Sequence, residues 1–187
     1  MIRALALLAL LSTGAAAAET APAPFPITLG GPFTLVDDSG ATRTERAPGA
    51  DVQLLFFGYA ICEQICSAAL PLMGAAADML ARDGIAAVPV MVTIDPERDA
   101  VGTMGAKLRL HHPEFVGLTG DAAALAATRD LFGVEIEVLF HDPAGAPVYA
   151  HGSHIYLLDG DGGFLTLVPP ILAPDRVADI AARYVTR

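Results

Sequence analysis

Tryptophan is absent from the 187 residues, and aromatic side chains make up only 6% of them. Alanine therefore carries much of the 53% hydrophobic content. The mean hydropathy of +0.51 overstates how many large side chains are available for a core. Cations are also scarce: 11 Lys and Arg face 21 Asp and Glu, for a formal net charge of −10. Such a surface repels nucleic acid and anionic lipid, so it excludes a nucleic-acid partner and leaves membrane contact to whatever a client supplies. It suits a partner with basic patches or a cation, although solubility alone also accounts for it. Charged residues are 17% of the chain, which together with the apolar fraction argues against bulk disorder. The length fits one domain with an ordinary core. Beyond the N-terminus no stretch reads as a membrane span, and there is no internal repeat.

What is present begins at the N-terminus. A short basic start at Arg3 precedes an unbroken apolar run from Ala4 to Leu11, and Ala16-Ala17-Ala18 precedes Glu19. This is the form of a cleavable secretory signal peptide, and the run is too short to span a bilayer comfortably. The expected organisation is a signal peptide over 1–18, an extended linker over 19–29 with prolines through Pro26, and one domain over 30–187. The expected location is the periplasm, with an uncleaved membrane anchor as the less favoured alternative. An exported chain meets an oxidising compartment, so the plainest reading of its two cysteines is a structural disulfide.

Phe33–Val36 and Ala41–Thr44 flank the turn-rich Asp37-Asp-Ser-Gly and read as a hairpin. Val52–Phe57 is a compact apolar run, expected to be a buried central strand. From Cys66 to Arg82 the spacing is helical, with Leu70, Met73, Ala77 and Leu80 on one face and Gly84 as the stop. Ile85–Ile94 reads as a second buried strand. Ala100–His111 reads as a weaker helix containing two glycines, and Phe115–Leu118 as a short strand. Asp121 caps a helix through Leu131. Val134–Phe140 reads as a strand and Asp142–Pro147 as a turn. Ile155–Leu158 and Phe164–Val168 flank the Asp159-Gly-Asp-Gly-Gly turn, and Asp175–Val185 closes the chain as a helix. Strands alternating with helices predict an α/β fold, a central mixed sheet flanked by helices, with an N-terminal β-hairpin and an inserted hairpin. A dithiol directly after the first buried strand, at the mouth of a helix, points to a thioredoxin-like arrangement.

Cys62-Glu63-Gln64-Ile65-Cys66 is C-x-x-x-C rather than C-x-x-C. Two thiolates sharing a metal at about 2.3 Å lie roughly 3.8 Å apart in a tetrahedral arrangement. Residues four apart on a helical turn start with Cβ atoms about 5–6 Å apart, so a modest lean brings the sulfurs to chelating distance. A disulfide needs Cβ atoms at about 3.5–4.5 Å and a tighter loop, and so short a ring stabilises least, on the order of 2 kcal/mol. A helix N-terminus favours thiolate, which activates sulfur for metal binding and for disulfide exchange alike. Soft thiolates select Cu(I). Metal chelation, redox exchange and a structural disulfide all remain open on the dithiol alone.

The five histidines are His111, His112, His141, His151 and His154. His111 and His112 sit at a predicted helix end before Pro113, and His141 at a strand end beside Asp142. His151 and His154 lie at or before the strand that precedes the Asp159 turn. In a thioredoxin-like fold the loop entering that strand faces the dithiol, where one imidazole completes an S₂N site. Spacing alone does not choose between the two.

Taken together these segments resemble the Sco/SenC family of copper chaperones for cytochrome c oxidase assembly, over roughly Gly30 to Val185. Gly31-Pro-Phe-Thr-Leu-Val-Asp-Asp-Ser-Gly is similar to the family's opening strand and turn, and Leu55-Phe-Phe-Gly-Tyr with Cys62 and Cys66 to its metal loop. Val92-Thr-Ile-Asp-Pro-Glu-Arg-Asp and Phe115-Val-Gly-Leu-Thr-Gly match two further motifs. His151, five residues before Tyr156, stands where the family places its copper histidine. The resemblance implies one copper ion, Cu(I) or Cu(II), held by Cys62, Cys66 and His151. It implies delivery to a copper-site subunit of a terminal oxidase or a similar cuproprotein. The alternative is a thiol–disulfide reductase acting through Cys62 and Cys66 and recharged by a thioredoxin-like reductant. No peroxiredoxin motif is present. The chain departs from the family's Cys-Pro-Asp-x-Cys-Pro at Glu63, Gln64 and Ser67, and Asp99 is followed by Ala100-Val101 rather than Thr-Pro, which marks a divergent member. For Asp95–Asp99 the sequence supports a turn-and-cap network or, alternatively, a docking surface.

Overall fold

The computed structural model describes residues 27–60 and 66–185. The proposed signal peptide and most of the linker lie outside them. In chain order the elements are β1 (Thr34–Asp37), β2 (Thr42–Thr44), β3 (Val52–Gly58), α1 (Cys66–Arg82), β4 (Ala87–Thr93), α2 (Gly105–Leu108), β5 (Val116–Thr119), α3 (Ala122–Phe132), β6 (Ile136–His141), β7 (Pro147–His151), β8 (Ile155–Asp159), β9 (Phe164–Val168) and α4 (Pro174–Ala182). A seven-stranded sheet runs β2-β1-β5-β4-β3-β8-β9, and β6 pairs with β7 in a separate two-stranded sheet. β3, β4 and β5 are parallel, while β1 and β8 add antiparallel edges to them. This is the mixed α/β, thioredoxin-like arrangement that the sequence predicts.

Every residue of β3 is buried, and successive side chains leave on opposite faces. Val52, Leu54 and Phe56 enter a core shared with α1 and α4, whereas Leu55 and Phe57 enter a second core shared with α3. Both faces are therefore covered, which is why the run is continuously apolar. Gln53 is the polar exception, and its amide nitrogen donates to the carbonyls of Glu45 at 2.8 Å and Asp159 at 2.9 Å. Leu70, Met73, Ala77 and Leu80 of α1 are all buried, as their spacing predicts. Asp121 caps α3 by accepting from the Ala124 amide at 2.7 Å, and Gly133 ends it at φ +64°.

The structure differs from the sequence reading in two places. The helix expected over Ala100–His111 shrinks to the four residues of α2. Gly102 takes φ +85°, its amide donates to the Asp38 carbonyl at 2.9 Å, and Asp38 Oδ1 accepts from Met104. A left-handed residue cannot continue a right-handed helix, so the segment is a tethered loop until Met104. The second difference is β7, which sequence reading leaves as a loop. The Asp142 turn, closed by the Asp142 amide to the Ala146 carbonyl at 2.8 Å, makes 147–151 the return strand of the inserted hairpin.

Candidate functional site

Cys66 is the first residue of α1, and no acidic residue occupies that helix's first turn. The helix dipole therefore acts on the Cys66 end without a carboxylate from the helix's own first turn to offset it. Cys62 lies outside the described residues, so its distance to Cys66 and to the histidine belongs to the proposal below. The stem that leads to it is defined: β3 ends at Gly58, whose carbonyl accepts from the Ile94 amide at 2.9 Å. Two residues on, the Ala60 amide donates to Asp99 Oδ2 at 2.9 Å.

His151 is the last residue of β7 and pairs with Ile136. Its ring sits edge-on to Phe56, 5.8 Å between centroids, and to Tyr59 at 6.5 Å. Phe56 and Tyr59 belong to the end of β3 and the start of the stem toward Cys62. The imidazole is thus placed at the same end of the central strand as the cysteine loop. Its Nδ1 lies 2.9 Å from the Gly152 carbonyl oxygen. A carbonyl only accepts, so Nδ1 is the donor in this bond, and Nε2 is the nitrogen a neutral ring would turn to a metal. Beside the ring opens a shallow cavity of about 260 Å³ lined by Glu135, Ile136, Glu137 and Ala150.

The other histidines go elsewhere. His154 is exposed, immediately before β8. His112 is buried against α1: its Nδ1 accepts from the Glu114 amide at 3.1 Å, and its Nε2 lies 3.6 Å from Asp78 Oδ1. His141 ends β6, at the far end of the hairpin from His151. His111 precedes His112 in the turn after α2, where its carbonyl lies so close to Gly74 that a Cβ there would meet it at 2.2 Å.

Around this end of the sheet runs a polar network drawn from residues 93–99. The Thr93 hydroxyl donates to Asp99 Oδ2 at 2.9 Å and accepts from the Asp95 amide at 2.9 Å. The Asp99 amide donates to the Asp95 carbonyl at 3.0 Å. Asp99 is fully buried, and among the described residues its Oδ1 has no hydrogen-bond partner. Burial pushes its carboxyl pKa up despite the Ala60 and Thr93 hydrogen bonds. Arg98 pairs through Nε with the buried Asp95 carboxylate. Its Nη2 donates to the Pro147 carbonyl at 2.7 Å, and its guanidinium lies 5.0 Å from the centre of the Tyr59 ring. Burial works against the Arg98 charge, but the hydrogen bond and the charge of Asp95 outweigh it and raise the pKa. The Tyr59 ring also meets Tyr149 edge-on at 5.9 Å. Tyr149 has its phenol pushed up by burial and by the charge of Asp95.

Sequence reading did not single out Tyr59, Tyr149 or the separate roles of Arg98 and Asp99. A signal for Tyr149 exists: Pro147, Tyr149 and His151 alternate with period two directly after an Asp-Pro-Ala-Gly turn, which is the pattern of a strand presenting one face. The turn-network reading of Asp95–Asp99 matches the bonds observed, except that these bonds fix loops rather than start a helix.

A family model described as SCO1/SenC matches residues 21–186. Protein SenC of Rhodobacter capsulatus is 33% identical over 156 residues, which cover 81% of this chain and 68% of that protein. Among solved structures, the copper-bound ScoI of Bradyrhizobium japonicum superposes with a TM-score of 0.73 at 30% identity, covering 83% of this chain and 99% of that one. The copper-bound ScoI of Arabidopsis thaliana superposes with a TM-score of 0.76 at 27% identity, covering 83% and 97%.

Proposed function

Because the chain belongs to the SCO1/SenC family, we propose that it is a copper-binding protein that acts in the assembly of a respiratory oxidase. It holds one copper ion through the thiolates of Cys62 and Cys66 and the imidazole of His151, and passes the ion to a CuA-type site of an oxidase subunit. The observation that carries this reading is the placement of His151. It stands against Phe56 and Tyr59 at the β3 end that leads toward Cys62, with Nδ1 bonded to the Gly152 carbonyl. The opening of α1 at Cys66 supports it, because a helix N-terminus stabilises thiolate. The copper-bound relatives support the choice of metal. Two soft sulfurs and one borderline nitrogen accommodate both Cu(I) and Cu(II). In the proposed transfer a client cysteine displaces one protein ligand at a time, so the ion is never fully released. The proposed setting is the periplasm, reached by the signal peptide over 1–18.

The test is a copper titration of the wild type, His151→Ala and His154→Ala, followed by the thiolate-to-Cu(II) charge-transfer absorption. His151→Ala is expected to abolish that absorption and weaken retention, while His154→Ala leaves both nearly intact. Loss in His154→Ala with retention in His151→Ala would reassign the ligand. Retention in both removes the main support for the copper reading.

The N-terminal position of Cys66 also favours a second reading, thiol–disulfide reduction. Cys62 thiolate attacks a client disulfide, forms a mixed disulfide and releases one client thiolate. Cys66 thiolate then attacks the Cys62 sulfur and releases the second, leaving Cys62–Cys66 oxidised until a thioredoxin-like dithiol reduces it. His151→Ala is expected to lower this activity much less than it lowers copper binding, which separates the two readings.

A further inference from the structure

We propose that Arg98 and Asp99 are positioning residues that set the distance between the two halves of the copper site, one neighbour holding each half. The inference rests on the reading of Cys62, Cys66 and His151 as ligands of one ion. Asp99 holds the cysteine half: its Oδ2 accepts from the Ala60 amide at 2.9 Å, two residues before Cys62. Thr93 at the end of β4 anchors the same oxygen at 2.9 Å. Arg98 holds the histidine half: its Nη2 donates at 2.7 Å to the carbonyl of Pro147, the first residue of the strand that ends in His151. The same guanidinium covers Tyr59 at 5.0 Å, and that ring touches Tyr149 and His151.

This arrangement matters because the hairpin joins no strand of the main sheet. The backbone ladder that fixes β3 against β4 does not extend to β7, so side-chain contacts add to the short 152–154 connection to β8 in fixing where His151 lies. Asp95 buries its carboxylate against Arg98 and Asp99 buries its own under Ala60. Burying two carboxylates in one turn is costly unless each is engaged. Here each engagement ends on a different half of the site. Consecutive residues of one short segment thus bond to the stem that follows β3 and to the first residue of β7.

The test uses the full chain with two readouts. The first is amide hydrogen exchange of the metal-free protein. Arg98→Met is expected to speed exchange across β6 and β7 by about tenfold, the loss of one charge-assisted hydrogen bond, with the β3 and β4 amides unchanged. Asp99→Ala is expected to do the same for the Ala60 amide, and Asp99→Asn, which keeps an acceptor oxygen, to restore its protection. The second readout is copper. Arg98→Met and Asp99→Ala should each lower retention about tenfold and shift the Cu(II) charge-transfer band. Arg98→Lys should behave like Arg98→Met, because an ammonium lacks the planar fork that meets Asp95, Pro147 and Tyr59 together. Should Asp99→Ala not fold, Arg98→Met and Asp99→Asn decide the matter. Unchanged hairpin exchange and an unchanged copper band in Arg98→Met would overturn the proposal. Wild type and His151→Ala holding copper alike would instead overturn the metal-site reading, and the exchange data would still decide whether Arg98 and Asp99 hold the two halves.

Discussion

The two halves of the candidate site are built by opposite means. The cysteine half grows from β3, a strand with every residue buried, and from α1, whose apolar face is buried beneath it. The histidine half grows from a hairpin in which Val138, Leu139 and Phe140 are 47%, 55% and 54% exposed. One half is built from the core itself, the other leans on it through Ile136 and Tyr149 and is held by contacts from Phe56, Tyr59 and Arg98. The difference leads to an expectation that stability and the proposed metal geometry are separable: damage to the core should cost both halves, whereas loosening the hairpin should leave the fold intact.

The largest effect that tests this separation is Phe57→Ala. The ring is fully buried between Phe132 and Tyr156, and its loss should cost about 3–5 kcal/mol in denaturant unfolding. The same truncation at Phe140, on the hairpin, should change global stability by less than about 0.5 kcal/mol. Equal costs at the two positions would erase the distinction.

A second prediction sets two carboxylates against each other. Asp37 sits in the β1–β2 turn, where burial works against its charge. Hydrogen bonds from Ser39, Arg43 and Ala41 outweigh burial and lower its pKa from 3.8 to about 2. Its contribution to stability is therefore full above its ordinary value and is lost as pH falls from 3.8 toward 2. Asp99 has the opposite sign: its pKa is raised, so its neutral form favours the native state. That contribution is fully present below 3.8 and is lost as pH rises through the raised value. Asp37→Asn should remove the acid-limb loss, and Asp99→Asn should flatten the opposing slope, both measured as unfolding free energy against pH. A swap of these two signs would show that the network around Asp99 is misassigned.

The smallest expected effect is that of His154→Ala. The residue is exposed, so neither unfolding nor copper absorption should change beyond experimental scatter, which makes it the control for His151.

The elements that were legible in the sequence are those whose pattern is enforced by two-sided or one-sided burial. The unbroken Val52–Phe57 run and the Leu70, Met73, Ala77, Leu80 face are of this kind, and both are found where their spacing puts them. β7 was not legible in this way: all five of its residues are half-buried, so no strong apolar alternation marks it. Local spacing predicts a longer helix than α2 because it does not reveal that Gly102 is left-handed or that Asp38, far off in the chain, tethers the loop. At the site, His151 and the cysteine pair were named from motif order. The Arg98 bond to Pro147 joins the turn after β4 to the hairpin across 49 residues, and no local pattern carries it.

The central claim, that Cys62, Cys66 and His151 share one copper ion, is tested most directly by X-ray absorption at the copper edge of the loaded full-length protein. The account predicts two sulfur neighbours and one imidazole nitrogen in the first coordination shell. The imidazole signal should vanish in His151→Ala and persist in His154→Ala. A wild-type spectrum with only sulfur neighbours, or one indistinguishable from that of His151→Ala, would contradict it.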